Sequence, residues 1–386
     1  MSSTERQNRL LLAEDWKTIY QSFKYADFQS YDFDNLRRTM ISYIRQNYPE
    51  DFNDYIESSE YLALIDLIAF LGQNLAFRTD LNARENFIEV AERRESILRL
   101  ARLISYNPKR NQAANGLLKI ESLSTTEDVV DSNGNNLSNQ SIIWNDGTNP
   151  NWYEQFIKVL NAALPVSTAF GRPIKKATIN GVVTEQYRFN GVNTDIPSFT
   201  FSKQINSIST QFEIVSTGID TDTNSLVEED PLPGNKMAFV YRDNGQGAGS
   251  NNSGFFMHFR QGSLQNNTFD VTNNSPNTVV NIDTDNINNS DVWLYKLDKQ
   301  GNEESLWTKV DAVEGNNVIY NSVSKGIRDI YAIQTRIADR ISLIFADGVF
   351  GNIPKGAFKV YYRTSKNLDY RINPNDLVGI NVQIPY

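Results

Sequence analysis

Three small groups in this chain of 386 residues come nearest to doing chemistry. Gly245-Gln246-Gly247-Ala248-Gly249 has the glycine density of a phosphate-cradling loop. Such a loop must open a helix whose N-terminus meets the phosphate. Here Ser250-Asn251-Asn252-Ser253-Gly254 and then an aromatic run follow, so the sequence predicts a hairpin loop. Asp220-x-Asp222-x-Asn224 begins like an EF-hand, but its sixth position is Ser225 and its twelfth is Pro231. Calcium binding needs Gly and a bidentate Glu there, so an acidic, solvated loop is expected. The one histidine, His258, lies in Phe255-Phe256-Met257-His258-Phe259. With no Gly-x-Ser-x-Gly elbow to pair with, it is expected to be a buried, satisfied structural histidine.

The composition removes most other chemistries. With no cysteine there is no disulfide, thiolate nucleophile, cysteine zinc site or iron–sulfur cluster. One histidine cannot build a multi-histidine metal centre. We expect no enzyme, no cofactor and no metal. A net charge of −9 argues against a general nucleic-acid partner, whose phosphates need a basic surface. The start, MSSTERQNRLLL, has no apolar core of signal-peptide length. Tyr61 to Phe77 is apolar but interrupted by Asp66, Gln73 and Asn74. It falls short of the ~20 clean apolar residues of a membrane span, so no membrane partner and no secretion are expected.

These residues are carried by elements of two kinds. Residues 1–110 contain few glycines and read as a helical, bundle-forming region. Leu12, Trp16, Ile19, Phe23 and Ala26 follow a heptad-like seam. Leu36, Met40, Ile44 and Tyr48 repeat at four and end before Pro49. Ser59 to Phe77 is apolar nearly all round, the mark of a helix covered on several sides. Asn82 and Glu85 have capping-box spacing and predict a fourth helix through Ile97 to Ile104. Seven aromatics between Trp16 and Phe33 suit an interface with aromatic anchors.

Residues 111–386 read as mainly β, divisible into 111–235 and 236–386. One helix is expected from Trp152 to Leu164. Strands are expected at Gly116–Leu123, Ala177–Ile179, Phe199–Phe201, Gln211–Val215, Met237–Tyr241 and Phe255–Phe259. Further strands are expected at Val292–Tyr295, Val318–Tyr320, Arg340–Phe345 and Ala357–Tyr362. Residues 131–141, 243–254 and 272–290 read as long Asn-, Ser- or Gly-rich loops. The expected class is α+β, a helical arm followed by a β body.

Two stretches carry a resemblance. Glu92 to Pro108 with Ala113-Ala114-Asn115-Gly116 resembles the helix, Ser-Tyr-x-Pro turn and strand entry of baseplate J-like wedge proteins. Ile344-Phe345-Ala346-Asp347-Gly348-Val349-Phe350-Gly351-Asn352-Ile353-Pro354-Lys355-Gly356 is similar to that family's Gly- and Pro-marked hairpin. Asp347, Gly348, Gly351, Pro354 and Gly356 match the motif, while Ala346 stands where the family usually has Gly. The whole chain resembles the N-terminal portion of the large baseplate wedge subunits of T-even-like contractile-tailed phages. The family protein is longer, so a fragment is expected.

The resemblance implies a virion structural protein of the tail baseplate, assembled in the host cytoplasm. It implies that N-terminal helices join a second copy and another wedge protein in a heteromeric core bundle. It also implies a sheath-proximal baseplate partner, an indirect link to the central hub, and a role in triggering sheath contraction. Leu12, Trp16, Ile19 and Phe23 are then the expected interchain anchors. Ile65, Ile68, Leu71 and Leu75 are the expected bundle core. The competing readings are a β-rich receptor- or carbohydrate-binding tail protein and a tail glycosidase.

Overall fold

The computed structural model describes residues 32–47, 59–104, 106–162, 173–189, 191–273, 275–313, 327–349, 351–366, 368 and 370–385. The chain is α+β and divides into two compact units, residues 1–108 and 109–386.

The first unit holds three described helices, α1 (Phe33–Asn47), α2 (Ser59–Arg84) and α3 (Arg94–Leu103). The Asp32 carboxylate caps α1 by accepting the Asn35 N–H at 2.8 Å. α1 lies against α2 through the Arg37–Asp66 pair at 2.7 Å. Gly72 permits their close approach, since a Cβ there would stand 3.0 Å from Leu36. Ile65 and Ala69 are buried on α2. The expected fourth helix starts later than Asn82. α2 runs on to Arg84, and the turn 85–93 intervenes. Glu85 instead serves α3, accepting the N–H groups of Glu92 and Arg93 at 3.1 Å each. The extension of α2 also changes the membrane argument: Leu62–Arg84 is long and apolar enough to span a bilayer by length and composition.

The second unit carries two seven-stranded sheets and two small hairpins. The first sheet contains β1 (Asn115–Lys119), β4 (Lys175–Ile179), β5 (Val182–Arg188), β6 (Ser198–Ile205), β7 (Ile208–Val215), β10 (Ala238–Asp243) and β11 (Gly254–Gln261). Its order is β4-β5-β10-β11-β7-β6, with β1 also on β11. β11 is a branch: Gly254–Phe256 pair with β10, His258–Gln261 with β7, and Phe256–Arg260 with β1. The hairpin β2 (Ser122–Leu123) with β3 (Ile142–Ile143) precedes α4 (Trp152–Ala162). α4 covers an aromatic core, its Phe156 stacking on Phe255 at 6.0 Å while Trp144 meets both rings edge-on. The second hairpin pairs β8 (Thr217–Asp220) with β9 (Ser225–Glu228).

The second sheet contains β12 (Ser263–Val271), β13 (Val279–Ile282), β14 (Ile287–Leu297), β15 (Glu303–Val310), β16 (Ile330–Thr335), β17 (Ile341–Phe345) and β18 (Gly356–Thr364). Its order is β12-β18-β14-β15-β16-β17-β13. All neighbours are antiparallel except β15 and β16. Trp307, Phe345 and Phe358 form the centre of its core, with ring centroids 5.3–5.9 Å apart. Residues 272–290 are not one loop, because β13 and the start of β14 lie within them. The sheets change at Gly262, so strands 238–243 and 254–261 belong with the first sheet rather than with residues after 235. The expected strand Val318–Tyr320 lies outside the described residues.

Candidate functional site

Each of the three chemical candidates resolves into structure. Gly245–Gly249 lies in the turn between antiparallel β10 and β11. Gly245 and Gly247 supply positive φ, and the Trp144 indole N–H donates to the Ala248 carbonyl at 2.9 Å. Asp220 closes the β8–β9 turn on itself, accepting from the Asp222 and Thr223 N–H groups and the Thr223 hydroxyl. The acidic loop is thus a turn closed by its own first side chain.

His258 is 6% exposed, yet its two ring nitrogens make no regular hydrogen bond. It is buried as expected, and its polar partner, the Val227 carbonyl, is held too loosely for a regular bond. Burial and then the Arg260 charge pull its pKa down to about 4, against the Val227 carbonyl and the Asp291 carboxylate. The unfolded state, titrating near 6.5, therefore takes up the proton first as pH falls. Stability tied to this ring is intact above pH ~6.5 and is lost on acidification toward pH 4. Relative to His258→Phe, the wild type is expected to lose roughly 3 kcal/mol between pH 7 and pH 4. Urea unfolding of both proteins across that range measures it. Parallel pH curves would refute the buried, proton-averse ring.

A charged cluster inside the β body lies beside His258. Arg363 of β18 is fully buried. Its guanidinium contacts Glu213 of β7 at 2.9 Å, Glu228 of β9 at 2.8 Å and Asp291 of β14 at 3.5 Å. Arg260 of β11 meets Glu228 at 2.9 Å. Trp293 lies under the guanidinium at 5.7 Å. Burial opposes the charge on Arg363, but the carboxylates of Glu228, Glu213 and Asp291 outweigh it and raise its pKa. The pairing of β14 with β18 shifts register between Ile287 and Val292, and Asn288 and Asp291 fall in that irregularity. No local pattern announces this cluster, because Glu213 and Arg363 are 150 residues apart.

The motif turn is built as its glycines require. Asp347 accepts the Val349 N–H at 2.9 Å, and Gly348 has φ +91°. A Cβ on Gly351 would stand 2.6 Å from the Ala346 methyl and 2.7 Å from Ile330. Arg328 donates to the Gly348 and Val349 carbonyls, and Asn352 donates to Asp329 at 2.8 Å. Pro354 is buried, and Gly356 opens β18 with φ +94°.

The helical site residues separate into three groups. Leu12, Trp16, Ile19 and Phe23 lie outside the described residues. Ile65 is buried. Ile68, Leu71 and Leu75 are exposed, as are Leu64, Leu67, Phe70 and Phe77, which the sequence reading did not single out. A turn-by-turn count could have found them, since the helix is apolar on every side. Seven large apolar side chains exposed on one helix make an apolar surface of the kind that marks an interaction site.

The comparisons with known proteins assign both units. Residues 32–103 match the family described as bacteriophage baseplate protein, N-terminal domain. Residues 116–386 match the family described as domain of unknown function (DUF8360). No curated protein matches the chain.

Proposed function

Since the chain belongs to the DUF8360 family and carries a bacteriophage baseplate N-terminal domain ahead of it, we propose that this phage baseplate protein is a wedge subunit of a contractile tail. Its role is structural, not catalytic. Its helical arm enters a bundle with a second copy and with other wedge proteins, and its β body occupies the wedge. Contacts with a sheath-proximal protein and, indirectly, with the hub place it where a change of baseplate shape is passed toward sheath contraction.

One observation supports the reading most. α2 buries Ile65 and Ala69 but leaves Leu64, Leu67, Phe70, Leu71, Leu75 and Phe77 exposed. Burying such side chains is worth ~1.5–3 kcal/mol each, a strong drive for association. The same helix passes the length and composition test for a membrane span. Against a bilayer stands Asp66, in the second turn of the apolar stretch and held by Arg37 of α1 at 2.7 Å. An ion pair inside the hydrocarbon is costly.

The test is co-expression of the full chain with the other baseplate proteins of its phage. The wild type is expected to enter a defined heteromeric complex, and Leu71→Glu/Leu75→Glu to lose it while retaining the β body's circular dichroism. Normal assembly of the double variant would sink the bundle reading. Flotation of the wild type with phospholipid vesicles would replace it with the membrane reading.

A further inference from the structure

The buried charges of the β body sit where its two sheets join. The first sheet supplies Glu213 from β7 and Arg260 from β11, and the β8–β9 hairpin supplies Glu228. The second sheet supplies Arg363 from β18 and Asp291 from β14. Glu213 uses its other oxygen to accept the N–H of Leu264 in β12 at 2.6 Å. One carboxylate thus touches both sheets, and three carboxylates face two arginines.

A polar chain continues from this cluster to residues 110–114, at the start of the second unit. Asn288 donates to Asp291 at 3.2 Å and to the Ser365 hydroxyl at 2.8 Å. That hydroxyl donates to the Gln261 carbonyl at 2.8 Å. Gln261 exchanges two bonds with Ala114, its N–H donating at 2.8 Å and its side-chain oxygen accepting at 3.1 Å. Arg110 lies at the head of the chain. Its guanidinium donates to the carbonyls of Asn286 at 2.5 Å and Ser365 at 2.8 Å, and pairs with Asp339 at 2.9 Å. Both members of that pair are largely buried.

A flexible joint would show few buried contacts and solvated backbone bonds. This junction shows the reverse. We propose that the Arg363 cluster and the Arg110 clasp are one buried lock, which makes the two sheets a single rigid block and fixes residues 110–114 to it. A displacement delivered through residues 109–114 then moves the block whole. The inference concerns the β body alone and stands whether or not the wedge reading does.

Hydrogen exchange on the full chain, read by mass spectrometry, tests it. In the wild type, protected amides of residues 199–215 and 255–261 are expected to open together with those of 330–345 and 356–364. Arg363→Met should separate the two sets by at least tenfold in exchange rate. Arg110→Gln should leave them together but speed exchange at 110–118 at least tenfold. If Arg363→Met does not fold, Glu213→Gln, which keeps a hydrogen-bonding side chain, is read in its place. Sheets that already open independently in the wild type would overturn the proposal. So would a cluster variant whose sheets still open together, or unchanged exchange at 110–118 in Arg110→Gln.

Discussion

Gly262→Ala is expected to cost roughly 2–6 kcal/mol of stability, measured by urea unfolding at neutral pH. Gly262 is the single residue between β11 and β12, and its φ is +123°. An L side chain seldom adopts that backbone, which costs on the order of 1–3 kcal/mol. A Cβ there would also stand 2.5 Å from the Ser365 hydroxyl, 2.6 Å from the Thr364 carbonyl and 2.8 Å from Arg363. The Thr364 carbonyl is backbone of β18 and cannot rotate away. Gly181→Ala is the control: φ is +79°, but nothing lies within 4 Å of the added methyl. Its loss should be limited to about 1–2 kcal/mol of backbone strain. Equal losses at the two positions would mean that the corner is not sterically closed.

Phe255→Ala is expected to cost about 3–5 kcal/mol, the range for deleting a large ring from a packed core. Phe255 is fully buried and touches Trp144, Phe156, Phe239 and Tyr241. It therefore ties together β11, β10, α4 and the chain leading to α4. The double change with Trp144→Ala should couple by about 0.5–1.5 kcal/mol, since the rings meet edge-on at 5.6 Å. Strictly additive losses would show that the two rings pack independently, contrary to the contact described.

Periodic elements were legible and compensated ones were not. α1, α2 and α4 follow from apolar residues at helical spacing. The strands at Phe255–Phe259 and Ala357–Tyr362 follow from dense β-formers. The break after Arg84 was hidden, because Asn82 and Glu85 imitate a capping box while Glu85 is spent on the next helix. β12 was hidden by composition: Gln265, Asn266, Asn267 and Thr268 are exposed on an edge strand, so its sequence imitates a loop. β13 shared that fate inside an asparagine-rich stretch. In β15 only Trp307 is buried, so the inward face carries too little apolar signal to read. Of the candidate residues, the glycines of the motif turn were visible through their resemblance to a known hairpin. The Arg363 cluster was not, since a charge in a strand normally signals the solvent face. Only tertiary pairing shows that these charges point inward.

The branch at β11 has a consequence for how the protein is made. Asn115 pairs with Arg260, so β1 has no neighbour in its sheet until β11 has been synthesised. At translation rates of ~5–20 residues per second, that wait lasts roughly seven to thirty seconds. Glu213 waits longer, for Arg363. Such distant pairings make folding slow and leave early strands open to wrong contacts. The helices of the first unit involve no such delay, because α1 and α2 are near neighbours in the chain. Each nascent chain thus presents the apolar α2 to its surroundings well before it owns a β body. The ribosome sets the order: the helices emerge first, and the sheets close last.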